Sequence, residues 1–128
     1  MKTYGGEVHG PGGRVLPLSV ATELDDLLLI SGQLALREGK VEGDIAQQTG
    51  VIFDSLEAIL AQAGLTLDNV VKTTIWLTDS RDFPAFNSTY AGRLRAPYPS
   101  RSCVVSALVI PGARVEIEAV ASRRHRRV

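Results

Sequence analysis

The sequence predicts an α+β domain in which a mixed β-sheet carries two helices on one face. Three observations predict it. Residues 44–63 repeat apolar side chains at the three- and four-residue steps of one helical face. A shorter stripe of the same kind follows at Phe83, Phe86, Tyr90 and Leu94, and runs rich in Val, Thr and Ile precede, separate and follow the two helices. The 128 residues suit a single domain, and 45% hydrophobic against 22% charged residues is enough to build a core without disulfide staples.

Taken in order, the first fourteen residues are an irregular arm, with Gly5, Gly6, Gly10, Pro11, Gly12 and Gly13. A single domain spans 15–122, and 123–128 form a basic tail. Val15 to Leu24 reads as a strand and Asp25-Asp26 as a turn. The run Leu27-Leu28-Leu29-Ile30 reads as a second strand buried on both faces, ended by Ser31-Gly32-Gln33. A short extended piece near Val41 pairs locally through a turn at Gly39.

The first helix runs from Asp44 to about Ala63. Asp44 and Gln47 form a capping-box pair and Gly64 supplies a left-handed C-terminal cap. Gly50 costs such a helix ~1 kcal/mol relative to alanine, which suggests close packing against the sheet. Val70–Thr78 is a strand. The second helix starts near Asp82, tolerates Pro84 in its first turn and ends before Ala96-Pro97-Tyr98-Pro99. Arg101–Ala107 and Arg114–Ser122 are the last strands, joined through Pro111-Gly112. Val115, Ile117, Ala119 and Ala121 share one face of the final strand, and Glu116 and Glu118 lie on the other. Two helices cover one sheet face, so Val20, Val70, Trp76, Val104 and Val120 are candidates for an uncovered apolar face, which implies a homo-oligomer.

Composition excludes several functions. Fourteen basic residues balance fourteen acidic ones, but Arg123, Arg124, Arg126 and Arg127 fall in the tail. Residues 1–122 therefore hold ten basic and fourteen acidic groups, a net of −4. The tail reads as a solvated end. One cysteine, Cys103, and two histidines, His9 and His125, provide neither a disulfide nor a transition-metal ligand set. No cofactor is expected: Gly39-Lys40 is followed by Val41 and does not make a phosphate loop. The longest apolar run is far shorter than a membrane span, and no secretory signal opens the chain, so a cytoplasmic protein is expected. In that compartment the pattern Asn87-Ser88-Thr89 is not a glycosylation site.

Seven positions in five groups could carry chemistry. Arg101 opens a strand after Pro99-Ser100 and could grip a carboxylate through two parallel hydrogen bonds, although a structural arginine fits the same pattern. Glu116 lies in an apolar strand and could orient water or shuttle a proton. Glu118 shares its face, and the sequence does not say which is buried. Cys103 lies on Arg101's side of its strand with no histidine placed to activate it, and a small buried thiol is the plainer reading. Ser31-Gly32 could present a hydroxyl and a close backbone N–H, or could form only a turn. Asn87, beside Phe86, is either a helix-surface residue or a ligand contact.

Four segments together resemble the RidA/YjgF family of reactive-intermediate imine deaminases, also described as the endoribonuclease L-PSP family. They are 28–33 (Leu-Leu-Ile-Ser-Gly-Gln), 71–77 (Val-Lys-Thr-Thr-Ile-Trp-Leu) with Asp79, 86–90 (Phe-Asn-Ser-Thr-Tyr), and Pro99-Ser100-Arg101-Ser102-Cys103 with Val115-Glu116-Ile117-Glu118-Ala119. The resemblance implies a chorismate-mutase-like fold, a homotrimer around a central barrel, and clefts between neighbouring subunits. It also implies that Arg101 holds the substrate carboxylate, that Ser31, Gly32, Asn87 and Cys103 line the cleft, and that Glu116 lies near the attacking water. The implied reaction hydrolyses short-lived 2-imino acids or their enamine tautomers to 2-oxo acids and ammonia without a cofactor, a form of metabolite damage control.

One residue departs from the family's pattern. Its first motif usually reads Pro-Tyr-Ser-Gln-Ala, and here Pro17-Leu18-Ser19-Val20-Ala21 puts Leu18 where a hydroxyl would stand. Leu18 keeps open an alternative, a non-catalytic trimer that binds small carboxylates. A ribonuclease is the weaker alternative, because the body is acidic and no histidine pair is placed for acid–base attack, although the arginine tail could attract phosphate.

Overall fold

The structure is a computed structural model that describes residues 1–125. Its main sheet has six strands: β1 (Thr3–Tyr4), β2 (Ala21–Leu24), β3 (Leu27–Leu34), β6 (Val70–Leu77), β7 (Ser100–Val105) and β8 (Val115–Ser122). Their spatial order is β1-β2-β3-β8-β6-β7, with β6 and β7 parallel and every other neighbouring pair antiparallel. A small hairpin of β4 (Leu36–Arg37) and β5 (Lys40–Val41) lies apart, turned at Gly39 as expected. Helix α1 (Ile45–Gln62) follows β5, and helix α2 (Phe83–Arg93) connects β6 to β7.

Helix α1 forms where its periodicity and caps place it. The Asp44 carboxylate accepts from the Gln47 N–H at 2.8 Å, and the Gln47 side chain accepts from the Asp44 N–H at 2.9 Å. Such a cap contributes ~1 kcal/mol by satisfying donors that the first turn leaves open. Gly64 takes φ 73° at the other end, a left-handed conformation that costs glycine no Cβ clash. Ile52, Phe53, Leu56 and Leu60 are fully buried, together with Leu28 and Ile30 of β3, Ile75 and Leu77 of β6, and Val115 and Ile117 of β8. Gln48 is buried with every polar atom used: it donates to the Gly43 and Gly112 carbonyls, both at 3.0 Å, and accepts from the Arg114 N–H at 2.9 Å. It ties the start of α1 to the loop that enters β8.

Several expectations change. The stretch 15–24 is a strand only from Ala21, because the segment around Pro17 has no sheet partner and Val15 makes a single bridge to His9. The arm is not wholly irregular, since Thr3–Tyr4 pairs with β2 as an edge strand. β3 alternates rather than burying both faces: Leu28 and Ile30 lie under the helices, while Leu27 and Leu29 are 36% and 37% exposed. It also runs on through Ser31-Gly32-Gln33 to Leu34, with a register shift between Ile30 and Gln33. β7 stops at Val105, two residues short of the expected end, and β8 starts at Val115, one residue after the expected start.

The helices do share one face. On the other lie Leu27, Leu29, Thr74, Trp76, Val104, Glu116, Glu118 and Val120, and no described element covers it. Trp76, Val104 and Val120 are therefore where expected, but two candidates are not. Val70 is buried on the helix side, and Val20 packs against the core just before β2. The described tail residues, 123–125, are exposed, and two of them are tied back to the body. The Arg123 guanidinium binds the Glu23 carboxylate and donates to the Ala63 carbonyl at 2.7 Å, and Arg124 pairs with Asp26. Arg126 and Arg127 lie outside the described residues. Among the described residues no helix is long and apolar enough to cross a membrane.

Gly50 does not touch the sheet. Its carbonyl accepts from Arg93 Nη1 at 3.1 Å, and among the described residues outside its own helix the nearest atom to an added Cβ would be that Nη1, at 4.0 Å. Nothing here requires glycine, so Gly50→Ala should stabilise the fold by ~0.5–1 kcal/mol. A thermal melt at fixed protein concentration reads this as a higher midpoint; a lower midpoint would show that α2 needs the space.

Candidate functional site

Arg101 stands on the inward side of the edge strand β7, paired with Thr73 of β6. Because β6, α2 and β7 form a parallel crossover, an inward residue near the start of β7 faces α2. Its Nη2 donates to the Asn87 Oδ1 at 2.6 Å. Its guanidinium carbon lies 4.9 Å from the Tyr90 ring centre, 5.5 Å from Phe83 and 5.8 Å from Phe86. Tyr90 is itself fixed by a 2.8 Å hydrogen bond between its hydroxyl and Thr73 Oγ1, and by edge-on packing against Phe53 at 5.7 Å. This cation is held in place by three rings and one amide, with no carboxylate partner among the described residues, which leaves it available to an anion.

Cys103 lies two residues on, on the same side, half-buried. Burial pushes its thiol above the usual value, and the Arg101 charge opposes this only in part. It is therefore a neutral thiol near pH 7 rather than a nucleophile, in keeping with a small packing group beside the arginine.

A second group of residues gathers at the β3–β8 junction. Glu116 pairs with Leu34 of β3 and Trp76 of β6 and points to the uncovered face. Its carboxylate lies directly over Gly32, where a Cβ would come within 1.9 Å of Oε2. Gly32 is therefore needed for close approach. Burial pushes the Glu116 carboxyl above its usual value, and repulsion from Glu118 on the same face adds to this. Glu118 shares the face and stands opposite Thr74 of β6, across from the irregular 31–32 stretch of β3, but the carboxylate that lies over Gly32 is that of Glu116. The Ser31 hydroxyl donates to the Ser19 carbonyl at 2.6 Å, and the Ser31 N–H to the Val20 carbonyl at 2.9 Å. These bonds lay the 18–20 segment beside Ser31 and bring Leu18, 46% exposed, to this end of the sheet.

The structure thus brings Arg101, Asn87 and Cys103 together, and separately Ser31, Gly32 and Glu116 with Leu18 nearby. It does not bring the two groups to each other within one chain. Arg101 and Glu116 are two strands apart, three residues offset along β8, and on opposite faces of the sheet, so their Cα atoms are roughly 14 Å apart by ladder geometry. Sequence reasoning missed the role of Phe83, Phe86 and Tyr90, which it placed in the core as a stripe. The available signal was Asn87 inside that stripe and Arg101 just beyond it, across a crossover that must turn β7 inward to α2.

Fold and side-chain placement define a class: a small α+β sheet protein with an anchored arginine at one sheet edge and a desolvated glutamate on the open face. The sequence profile described as Endoribonuclease L-PSP matches residues 14–123, and the chain belongs to this family, the RidA/YjgF group. It is 42% identical to the RutC family protein y4sK of Sinorhizobium fredii over 86% of this chain and 90% of that one. It is 35% identical to the 2-iminobutanoate/2-iminopropanoate deaminase of Escherichia coli over 84% and 88%. The crystal structure of the E. coli YjgF gene product matches with a TM-score of 0.83 and 33% identity, over 97% of this chain and 100% of that one. RidA from an Antarctic Psychrobacter matches with the same TM-score and 30% identity, over 95% and 99%.

Gly32→Ala tests the close approach. The clash is with the end of a flexible side chain, so the fold should survive, with an unchanged far-ultraviolet circular dichroism spectrum, while the Glu116 carboxylate is displaced. A crystal structure of the variant with Glu116 still over residue 32 would contradict this.

Proposed function

We propose that this protein hydrolyses reactive 2-imino acids, or their enamine tautomers, to 2-oxo acids and ammonia. In this reading it is a homotrimer whose uncovered sheet faces meet in a central barrel, and its setting is the cytoplasm. Each cleft joins the Arg101, Asn87 and Cys103 group of one copy to the Ser31, Gly32 and Glu116 group of a neighbour. The observation that carries the reading is the Arg101 guanidinium, clamped by Asn87 among aromatic rings with no carboxylate beside it among the described residues. Two further points support it: the open face is apolar around Trp76, Val104, Val120, Leu27 and Leu29, and a relative 35% identical is named as a deaminase of such imines.

The chemistry fits these groups. Arg101 binds the substrate carboxylate and fixes the C=N carbon relative to the water. Glu116, made more basic by burial, takes a proton from that water as its oxygen bonds to the C=N carbon. That proton passes to the nitrogen to give a carbinolamine; the new hydroxyl then loses its proton through Glu116 to the same nitrogen, the C–N bond breaks, and ammonia leaves as the C=O bond of the oxo acid forms. The step needs no metal, redox partner or covalent intermediate.

Leu18 favours a second reading, a trimer that binds small carboxylates without turnover, because it offers the Ser31 end no hydroxyl. The ribonuclease reading gains no support from the site. His9 is held in the arm by Glu7 and Gly13, and neither histidine belongs to either group.

The test is release of oxo acid and ammonia from freshly generated 2-iminopropanoate and 2-iminobutanoate. The parent should exceed the buffer rate, and Arg101→Ala should lose at least about 100-fold in kcat/KM. No acceleration together with calorimetric binding of 2-oxobutanoate would favour the second reading. Glu116→Gln adds a check with a defined sign. A carboxyl raised by burial contributes stability when protonated and loses it as pH rises through its shifted value. The variant should therefore melt above the parent at pH 8, with the difference shrinking toward pH 4, while turnover falls. Retained turnover would remove Glu116 from the mechanism.

A further inference from the structure

Phe83 is the first residue of α2 and one of three rings around Arg101, but it differs from the other two. Phe86 and Tyr90 are buried and pack on each other with ring centres 5.5 Å apart, so they serve the core whatever Arg101 does. Phe83 is 40% exposed, yet its ring centre lies 5.5 Å from the guanidinium carbon. The turn that carries it is anchored through the residue before it. Asp82, just before it, is buried and takes a two-pronged ion pair from Arg114, with N–O distances of 2.8 and 3.3 Å. Arg114 in turn donates its backbone N–H to the buried Gln48. An exposed phenylalanine held this firmly against a cation is not explained by core packing.

We propose that Phe83 is a positioning residue for Arg101, closing the exposed side of its aromatic surround so that the guanidinium meets a substrate carboxylate in one orientation. This rests on the reading above, in which Arg101 binds that carboxylate. Asn87 takes one of the five guanidinium N–H groups and fixes one end of the fork. Phe86 and Tyr90 limit the fork from the core side, and without Phe83 it can swing toward solvent. A group that holds the arginine equally for substrate and transition state acts on binding, so its loss raises KM more than it lowers kcat.

The experiment compares Phe83→Leu and Phe83→Tyr with the parent and Arg101→Ala. Three quantities are read: kcat and KM for 2-iminobutanoate hydrolysis, calorimetric binding of 2-oxobutanoate, and melting temperature with oligomeric state as controls. Phe83→Leu should raise KM and the Kd of 2-oxobutanoate about 3-fold to 10-fold, with little change in kcat, melting temperature or oligomeric state. Phe83→Tyr, which keeps the ring, should restore both constants. An unchanged KM in Phe83→Leu, or a tyrosine variant as weak as the leucine one, overturns the proposal. If Arg101→Ala loses binding while Phe83→Leu does not, only the role of Phe83 falls. If Arg101→Ala binds 2-oxobutanoate as the parent does, the carboxylate site itself is wrong and both fall.

Discussion

The strand on which the rest of the molecule depends is β8, which is central in the sheet and buried on one face only. Its alternation sends Val115, Ile117, Ala119 and Ala121 into the core under α1 and sends Glu116, Glu118 and Val120 to the side no described element covers. A one-residue slip would exchange these sets, placing two carboxylates in an apolar core and four small apolar side chains outside. The register with β3 and β6 is therefore fixed by charge as much as by hydrophobic contact. It also places the two groups of the proposed site: the glutamates belong to the open face, and Arg101 and Cys103 to the other.

This separation has an electrostatic consequence. If Arg101 and Glu116 met within one chain they would pair, and each would lose the property the proposed reaction needs, a free cation for a carboxylate and a carboxylate basic enough to take a proton. The intervening strand β6 and opposite sheet faces prevent that. Arg101 is stabilised by aromatic rings and an amide, which do not neutralise it. Glu116 is held over Gly32 in surroundings that disfavour its charge. The helix-side scaffold that fixes Arg101 also continues into the core through Tyr90, Thr73 and Phe53, so site and fold share residues rather than merely adjoining.

Much of this was legible in the sequence where local chemistry decides the outcome. The caps of α1, the turn at Gly39 and the alternation of β8 all follow from patterns within a few residues of each other, and the structure agrees with them. Reasoning failed where tertiary context decides. Leu27-Leu28-Leu29-Ile30 is a continuous apolar run in a chain with helices on one side only, so half of it is exposed. Gly50 pointed to close packing on the sheet, whereas it faces an arginine of α2. The residues of the candidate site could be named, Arg101 and Glu116 included, but not their division into two groups, because that depends on strand order, which inserts β8 and β6 between β3 and β7. The aromatic surround of Arg101 was seen as an apolar stripe and nothing more.

The proposed sharing of one site between copies is tested most directly by mixing two inactive variants. Arg101→Ala keeps a good Glu116 group, and Glu116→Gln keeps a good Arg101 group. Co-assembled in equal amounts after dissociation and refolding, they should recover about a quarter of the parent turnover, since random assembly places one intact half of each kind together that often in a ring of identical contacts. Turnover of the mixture no greater than that of either variant alone, with mixed oligomers verified by mass, would contradict a site built across the interface.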